Sequence, residues 1–313
     1  MKRVRFVLLP LLLMPIIVLF SITGCATNGT APAATTSSTG GLQDGLSQQQ
    51  LMQILEESLA DYASINTYKF DMDMNIFADV SGGPESGSIS MITKSSGATN
   101  IASKQMQMNM EMSMSMEGMG EQGGSQTLIY DIYVISDMLY MRMEVPGMGE
   151  QWMKMPASDD LMQTFNVDVV EQQIGPLGSA VEIDLLGYEN VDGSECYILS
   201  VTPDMAEFLD WVGGQQGADA DIDWEELAMI SDVFKKFKYV CYITKDSNTL
   251  KKIVSEIEME FTPEQAGVSA GDFDTMIMNM YLDMRIYDQN QPFSITLPDE
   301  AEDAMEVSED MFQ

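Results

Sequence analysis

The chain of 313 residues sets 49 acidic side chains against 15 basic ones, for a formal net charge of −34, and it contains no histidine. A surface this acidic repels nucleic acid and anionic headgroups, so no nucleic-acid partner is expected. Without histidine, Ser/His/Asp and Cys/His nucleophiles, histidine general bases and histidine-held metals drop out, and with so many carboxylates no catalytic pair stands out from chance, so a non-enzymatic chain without a cofactor is expected.

The first residues, MKRVR, are basic, and FVLLPLLLMPIIVLFSI follows without a charge, the layout of a secretion leader. It ends at Ile22-Thr23-Gly24-Cys25, which resembles the lipobox read by bacterial-type lipoprotein signal peptidase. On that resemblance, residues 1–24 are a lipoprotein signal peptide and Cys25 becomes a lipid-modified N-terminus. The alternative is an uncleaved membrane helix, since the apolar run is nearly long enough to span a bilayer. Either way the rest of the chain lies outside the cytoplasmic membrane, and two acyl chains would hold it there durably. Residues 25–46 (ATNGTAPAATTSSTGGLQDG and neighbours) are small and hydroxylic with no long apolar side chain before Leu42, so they read as a disordered tether. As a coil of about twenty residues it reaches on the order of 25 Å. Asn28-Gly29-Thr30 fits a glycosylation sequon but carries little weight in a Thr-rich tether.

From Ser47 the apolar residues Leu51, Ile54, Leu55, Leu59, Tyr62 and Ile65 recur every three or four positions, which predicts an amphipathic helix capped by Ser47. At Tyr68 the period changes to two. Tyr68, Phe70, Met72, Met74 and Ile76 alternate with Lys69, Asp71, Asp73 and Asn75, a strand with one dry and one wet face. Strand-like segments follow between turn residues: GSISMITKS; KQMQMNMEMSMSMEGMG, with methionine at every second position from Met106 to Met116; TLIYDIYVI; MLYMRMEV after Ser136-Asp137; and QWMKM. The spacing predicts an antiparallel meander.

Ser158-Asp159-Asp160 opens a predicted helix to about residue 173. VEIDLLGYENV and ECYILSV, split by Asp192-Gly193, predict a hairpin. Thr202-Pro203-Asp204 starts a helical region running to about residue 233. Within it, Asp219-x-Asp221-x-Asp223 begins like a calcium loop, but Trp224 stands where the turn glycine belongs and Ile230 where the bidentate Glu belongs, so it reads as the acidic start of a helix. Three long strands, FKYVCYITKD, LKKIVSEIEMEFT and FDTMIMNMYLDMRIYD, close the folded part. A single domain over 47–298 is predicted, with residues 299–313 as an acidic, disordered tail. No βαβ rhythm is present, which argues against a nucleotide-binding α/β fold. Cys196 and Cys241 remain outside the reducing cytosol, so a disulfide between them is the expectation, worth about 4 kcal/mol for a loop of about 45 residues. Two buried free thiols are the alternative.

The opening helix followed by Tyr68-Lys69-Phe70, then Met138-Leu139-Tyr140 and Trp152-Met153-Lys154, Leu185-Leu186-Gly187-Tyr188-Glu189 through Cys196-Tyr197-Ile198-Leu199, Tyr242-Ile243-Thr244-Lys245-Asp246, and Pro292-Phe293-Ser294-Ile295-Thr296-Leu297-Pro298 together resemble the lipoprotein carrier superfamily that includes LolA, LolB and the LppX/LprG-type surface lipoproteins. The resemblance implies an α+β fold, a large antiparallel half-open β-barrel with helices packed on its concave face, and an acyl chain or lipoprotein held there. It brings no catalytic motif.

Successive strand residues face opposite sides, so each methionine series lies on one face. Met72 and Met74, Met108, Met110 and Met112, Met141 and Met143, and Met276, Met278 and Met280 are the candidate lining residues. They can form an ordinary core, a deformable wall for an apolar ligand, or a Cu(I)/Ag(I) site of soft thioethers. A lipid-binding, membrane-anchored lipoprotein of the cell envelope is the leading expectation, and a structural or interaction module with a filled core is the alternative.

Overall fold

The computed structural model describes residues 45–83, 86–118, 124–145, 149–157, 169–208, 232–265 and 273–307. The leader, Cys25, the tether as far as residue 44, most of the two predicted central helical regions and the Asp219–Asp223 motif lie outside them. Helix α1 spans Gln48–Tyr62 and opens on the expected cap. The Gln50 amide donates to Ser47 Oγ at 3.3 Å and the Ser47 amide donates to Gln50 Oε1 at 2.8 Å, a reciprocal capping box. Its stripe of Leu51, Leu55 and Tyr62 is buried.

The strands are β1 (Thr67–Ser81), β2 (Gly87–Asn100), β3 (Gln105–Glu117), β4 (Gly124–Ile135), β5 (Met138–Val145) and β6 (Gly149–Pro156), then helix α2 (Val169–Ile174) and a 3-10 segment (Gly175–Ser179). After them come β7 (Ala180–Val191), β8 (Ser194–Pro203), β9 (Phe234–Thr244), β10 (Leu250–Phe261), β11 (Thr275–Tyr287) and the two-residue β12 (Met305–Glu306). All twelve belong to one sheet in the order β12-β6-β5-β4-β3-β2-β1-β11-β10-β9-β8-β7. Two antiparallel meanders are therefore joined where β1 pairs with β11, and the sheet stays open between β7 and β12. Loop chemistry sets the hairpins. Ser136 and Asp137 (φ 53° and 59°) turn β4 into β5, and Asp192-Gly193 (φ 50° and 84°) turns β7 into β8, both with the left-handed backbone that matches strand twist.

One face of the sheet is dry. Leu51, Leu55 and Tyr62 of α1, Val170 and Ile174 of α2, and Leu177 share a single core with Tyr68, Phe70, Met106, Met108, Ile253 and Met284. Gln48 Nε2 of α1 donates to the Ile183 carbonyl at 2.6 Å, and the Val170 amide donates to Tyr68 Oη at 3.4 Å. Close packing at this end depends on Gly97, whose missing side chain makes room for the Phe70 ring. Among the described residues no helix is long and apolar enough to cross a membrane.

Two expectations are corrected. Cys196 and Cys241 are free, buried thiols. Their strands are neighbours as a bridge requires, but Cys241 lies opposite Leu199 and Cys196 opposite Thr244. Three positions of offset along a regular strand put the two side chains on opposite faces of the sheet. The tail is not disordered through Val307. Asp299–Ala301 forms a 3-10 turn, Met305 and Glu306 pair in parallel with Met153 and Lys154 of β6, and Ala301, Ala304 and Val307 are buried.

Candidate functional site

The pairing register converts the sequence alternation into transverse rows across the dry face. One row runs Met110, Ser95, Met72, Met284, Ile253, Cys241 and Leu199. The next runs Met112, Thr93, Met74, Leu282, Ser255 and Tyr239, and the one after it Met114, Met91, Ile76, Met280, Ile257 and Phe237. Beyond them Met116, Ile89, Ala78, Met278 and Met259 align, and Val80 faces Met276. On the other side Met108 pairs with Ile132, Ile132 with Met141, Met141 with Met153, and Met110 with Tyr130, which faces Met143. All ten predicted lining methionines thus point to the same face of one sheet.

They do not share one environment. Met72, Met108 and Met141 belong to the core closed by α1 and α2. Met74 and Met278 form a separate cluster with Ile76 and Met91, flanked by half-buried Met112, Met114, Met259, Phe261 and Met280. Along β3 the change is continuous: Met106, Met108 and Met110 are buried, whereas Met112, Met114 and Met116 are half-exposed. The half-exposure is confined to the β3 side: at the same far end Ala78 and Val80 of β1, Ile89 and Met91 of β2, and Met276 and Met278 of β11 stay buried.

These rows carry no acidic or basic side chain. Burial pushes the Cys241 thiol up to about 12 and raises the neighbouring Tyr239 phenol, so both are neutral at physiological pH. The charges are on the other face, where Lys252 meets Asp283 at 2.7 Å and Lys69 meets Asp288 at 2.8 Å. Such an uncharged, largely apolar wall can hold a hydrocarbon by burial. Among the described residues no cluster of Cys, Asp and Glu has the arrangement of a metal site. Sequence reasoning missed the β2 floor of the face, Met91, Thr93 and Ser95. The period-two pattern in SMITKS pointed to it, but its small polar members look like an exposed edge until their neighbours are known.

Comparison with solved structures returns the lipoprotein LppX of Mycobacterium tuberculosis at 11% identity and a TM-score of 0.39, covering 80% of this chain and 100% of that one. LprF from Mycobacterium bovis matches at 12% identity and a TM-score of 0.38, covering 80% and 97%. A DUF1329 family protein from Desulfovibrio piger matches at 11% identity and a TM-score of 0.23, covering 80% and 95%. No curated protein matches the sequence. The model of a family of unknown function, DUF6612, matches residues 50–306, from the first turn of α1 to the end of β12, and the chain belongs to that family.

Proposed function

We propose that this chain is a membrane-anchored, extracytoplasmic lipoprotein that binds a lipid or another apolar ligand on its methionine face, without catalysis. The observation that carries the reading is the burial gradient along β3, from sealed Met106 to half-exposed Met116, over a face without charge. A core that only filled itself would favour branched side chains of fixed shape, whereas unbranched thioethers conform to a variable guest. The same rows interleave methionine with Ile76, Leu282 and Ile257, which suits packing against hydrocarbon better than a soft-metal ligand set. The anchor rests on the Ile22-Thr23-Gly24-Cys25 motif.

Native purification followed by organic extraction and mass spectrometry tests the binding. A co-purifying lipid is expected; an empty protein that also fails to take up a fluorescent fatty acid rules the reading out. Cys25→Ser should move the protein from the membrane fraction to the soluble one, and a variant that stays membrane-bound would show that the anchor is not at Cys25.

A further inference from the structure

Four large apolar side chains left exposed by the fold, Phe77 (43%), Ile92 (45%), Ile277 (39%) and Tyr281 (38%), lie on the outer face of the sheet, opposite the methionines. They come from three adjacent strands, β2, β1 and β11. The register sets them among amides: Ile92 faces Asn75, Asn75 faces Tyr281, and Phe77 faces Asn279. The two rings and the two amides thus occupy opposite diagonals of one square, the rings based roughly 7–8 Å apart. Next to them on β10, Glu256 faces Tyr281 and Glu258 faces Asn279, and on β9 Lys238 and Lys236 face those carboxylates. With Ser90 these strands line a groove of about 370 Å³ that runs from Ile92 on β2 to Lys236 on β9. Four strand spacings make it roughly 20 Å long.

Strand propensity is served as well by threonine or valine, so an aromatic pair left exposed on a largely polar face marks a contact surface. Its polar groups say of what kind. Lys236 pairs with Glu256, while among the described residues the Asn75, Asn279 and Glu258 side chains make no hydrogen bond or ion pair to the protein. Amides both donate and accept, carboxylates accept and ammonium groups donate. A cation would use the acceptors alone and meet Lys236 and Lys238, an anion would meet Glu256 and Glu258, and a second copy of this chain brings another net charge of −34. A neutral polyol uses donors and acceptors together. A pyranose ring has an apolar C–H face that lies on an aromatic side chain and a rim of hydroxyls that reach amides and carboxylates beside it, so it matches both parts of the groove.

We propose that this outer groove binds a neutral glycan chain, stacked on Phe77 and Tyr281 and hydrogen-bonded by Asn75, Asn279 and Glu258. Its length suits several sugar units in a row. The groove is on the opposite face of the sheet from the methionines, so this site and the apolar-ligand reading stand or fall separately.

The test is isothermal titration calorimetry of full-length protein with hexa-N-acetylchitohexaose, cellohexaose and polygalacturonate. At least one of the two neutral hexasaccharides should bind, and the anionic polymer should not. Preference for the first identifies an amino-sugar chain of the kind found in cell envelopes, and preference for the second a plain glucan. Phe77→Ala/Tyr281→Ala and, separately, Asn75→Ala/Asn279→Ala should each weaken binding roughly ten-fold, whereas Tyr281→Phe keeps the ring and should keep most of the affinity. All four side chains are exposed, so the urea midpoints of the variants should match that of wild type. Wild-type protein that binds neither hexasaccharide, or an affinity unchanged in either double variant, overturns the glycan site. Sedimentation showing a wild-type dimer that Phe77→Ala/Tyr281→Ala dissociates would also overturn it, by assigning the groove to a second copy.

Discussion

At the scale of single residues, two positions tie packing to measurable stability. A Cβ built on Gly97 would lie 2.6 Å from the Phe70 ring and 2.6 Å from the Gln107 carbonyl oxygen. The ring can turn only into a filled core and the backbone cannot move without breaking the β2/β3 ladder. Gly97→Ala should therefore destabilise the protein by about 1–3 kcal/mol, read as a lower urea midpoint at unchanged slope. Cys241 gives a pH signature. Burial lifts its thiol from an ordinary 9.0 to about 12, so the unfolded chain ionises first. The native state keeps its full advantage below about pH 9 and loses it as the pH rises through about 12, by up to about 1.4 kcal/mol per unit. Tyr239, raised by the same burial, acts with the same sign at higher pH. Urea midpoints measured from about pH 9 to 11 should fall in wild type and fall less steeply in Cys241→Ala; equal slopes would mean that the thiol is solvated in the native state.

At the scale of elements, the C-terminal segment shows what an alternation pattern conveys and what it leaves out. Strands β1, β3 and β11 are visible in the sequence because each supplies six or more residues of strict period two, and a long run of that kind fits one face only. In residues 299–307 the apolar members are Ala301, Ala304, Met305 and Val307, set among Asp299, Glu300, Glu302, Asp303 and Glu306. Four scattered apolar side chains amid five acids, in too short a run to fix a strand or helix period, look like a solvated tail. What holds the segment is the neighbouring strand: the Val307 amide donates to the Lys154 carbonyl at 3.0 Å, and β12 covers the β6 edge at Met153 and Lys154. The cysteine pair failed for a related reason. Strand adjacency is legible in residue order, but register is decided by turns and bulges and shows in no single strand. Deleting residues 299–313 should thus lower stability by about 2–4 kcal/mol, from the buried area of Val307 and two alanines, instead of leaving the thermal midpoint unchanged as loss of a solvated tail would. The Ser47 cap was legible because a capping box is local; Ser47→Ala should cost about 1 kcal/mol in the same assay.

On the scale of the whole molecule, β3 passes from a sealed end to a half-exposed one, and this makes the proposed ligand-binding reading separable from a plain core. At the α1 end Met108 is buried among Leu51, Leu55 and Ile132. Placing an amide there removes thioether contacts and strands a polar group, so Met108→Gln should lower folding stability by about 2–4 kcal/mol. At the other end Met112 and Met114 are half-exposed beside Met74, Ile76 and Met91, so Met112→Gln/Met114→Gln leaves the amides within reach of water and should change the stability of ligand-free protein by less than about 1 kcal/mol. The same double substitution should weaken uptake of a hydrocarbon probe strongly, because each methionine withdrawn removes apolar area from the guest's contact at about 25 cal/mol per Å². Ligand then reports on the native state. In wild type a guest at one hundred times its Kd should raise unfolding free energy by about 2.7 kcal/mol, and in the double variant that increment should shrink toward zero while the ligand-free midpoint holds. If the methionine face is instead a core along its whole length, both variants should lose stability together and added lipid should shift neither midpoint.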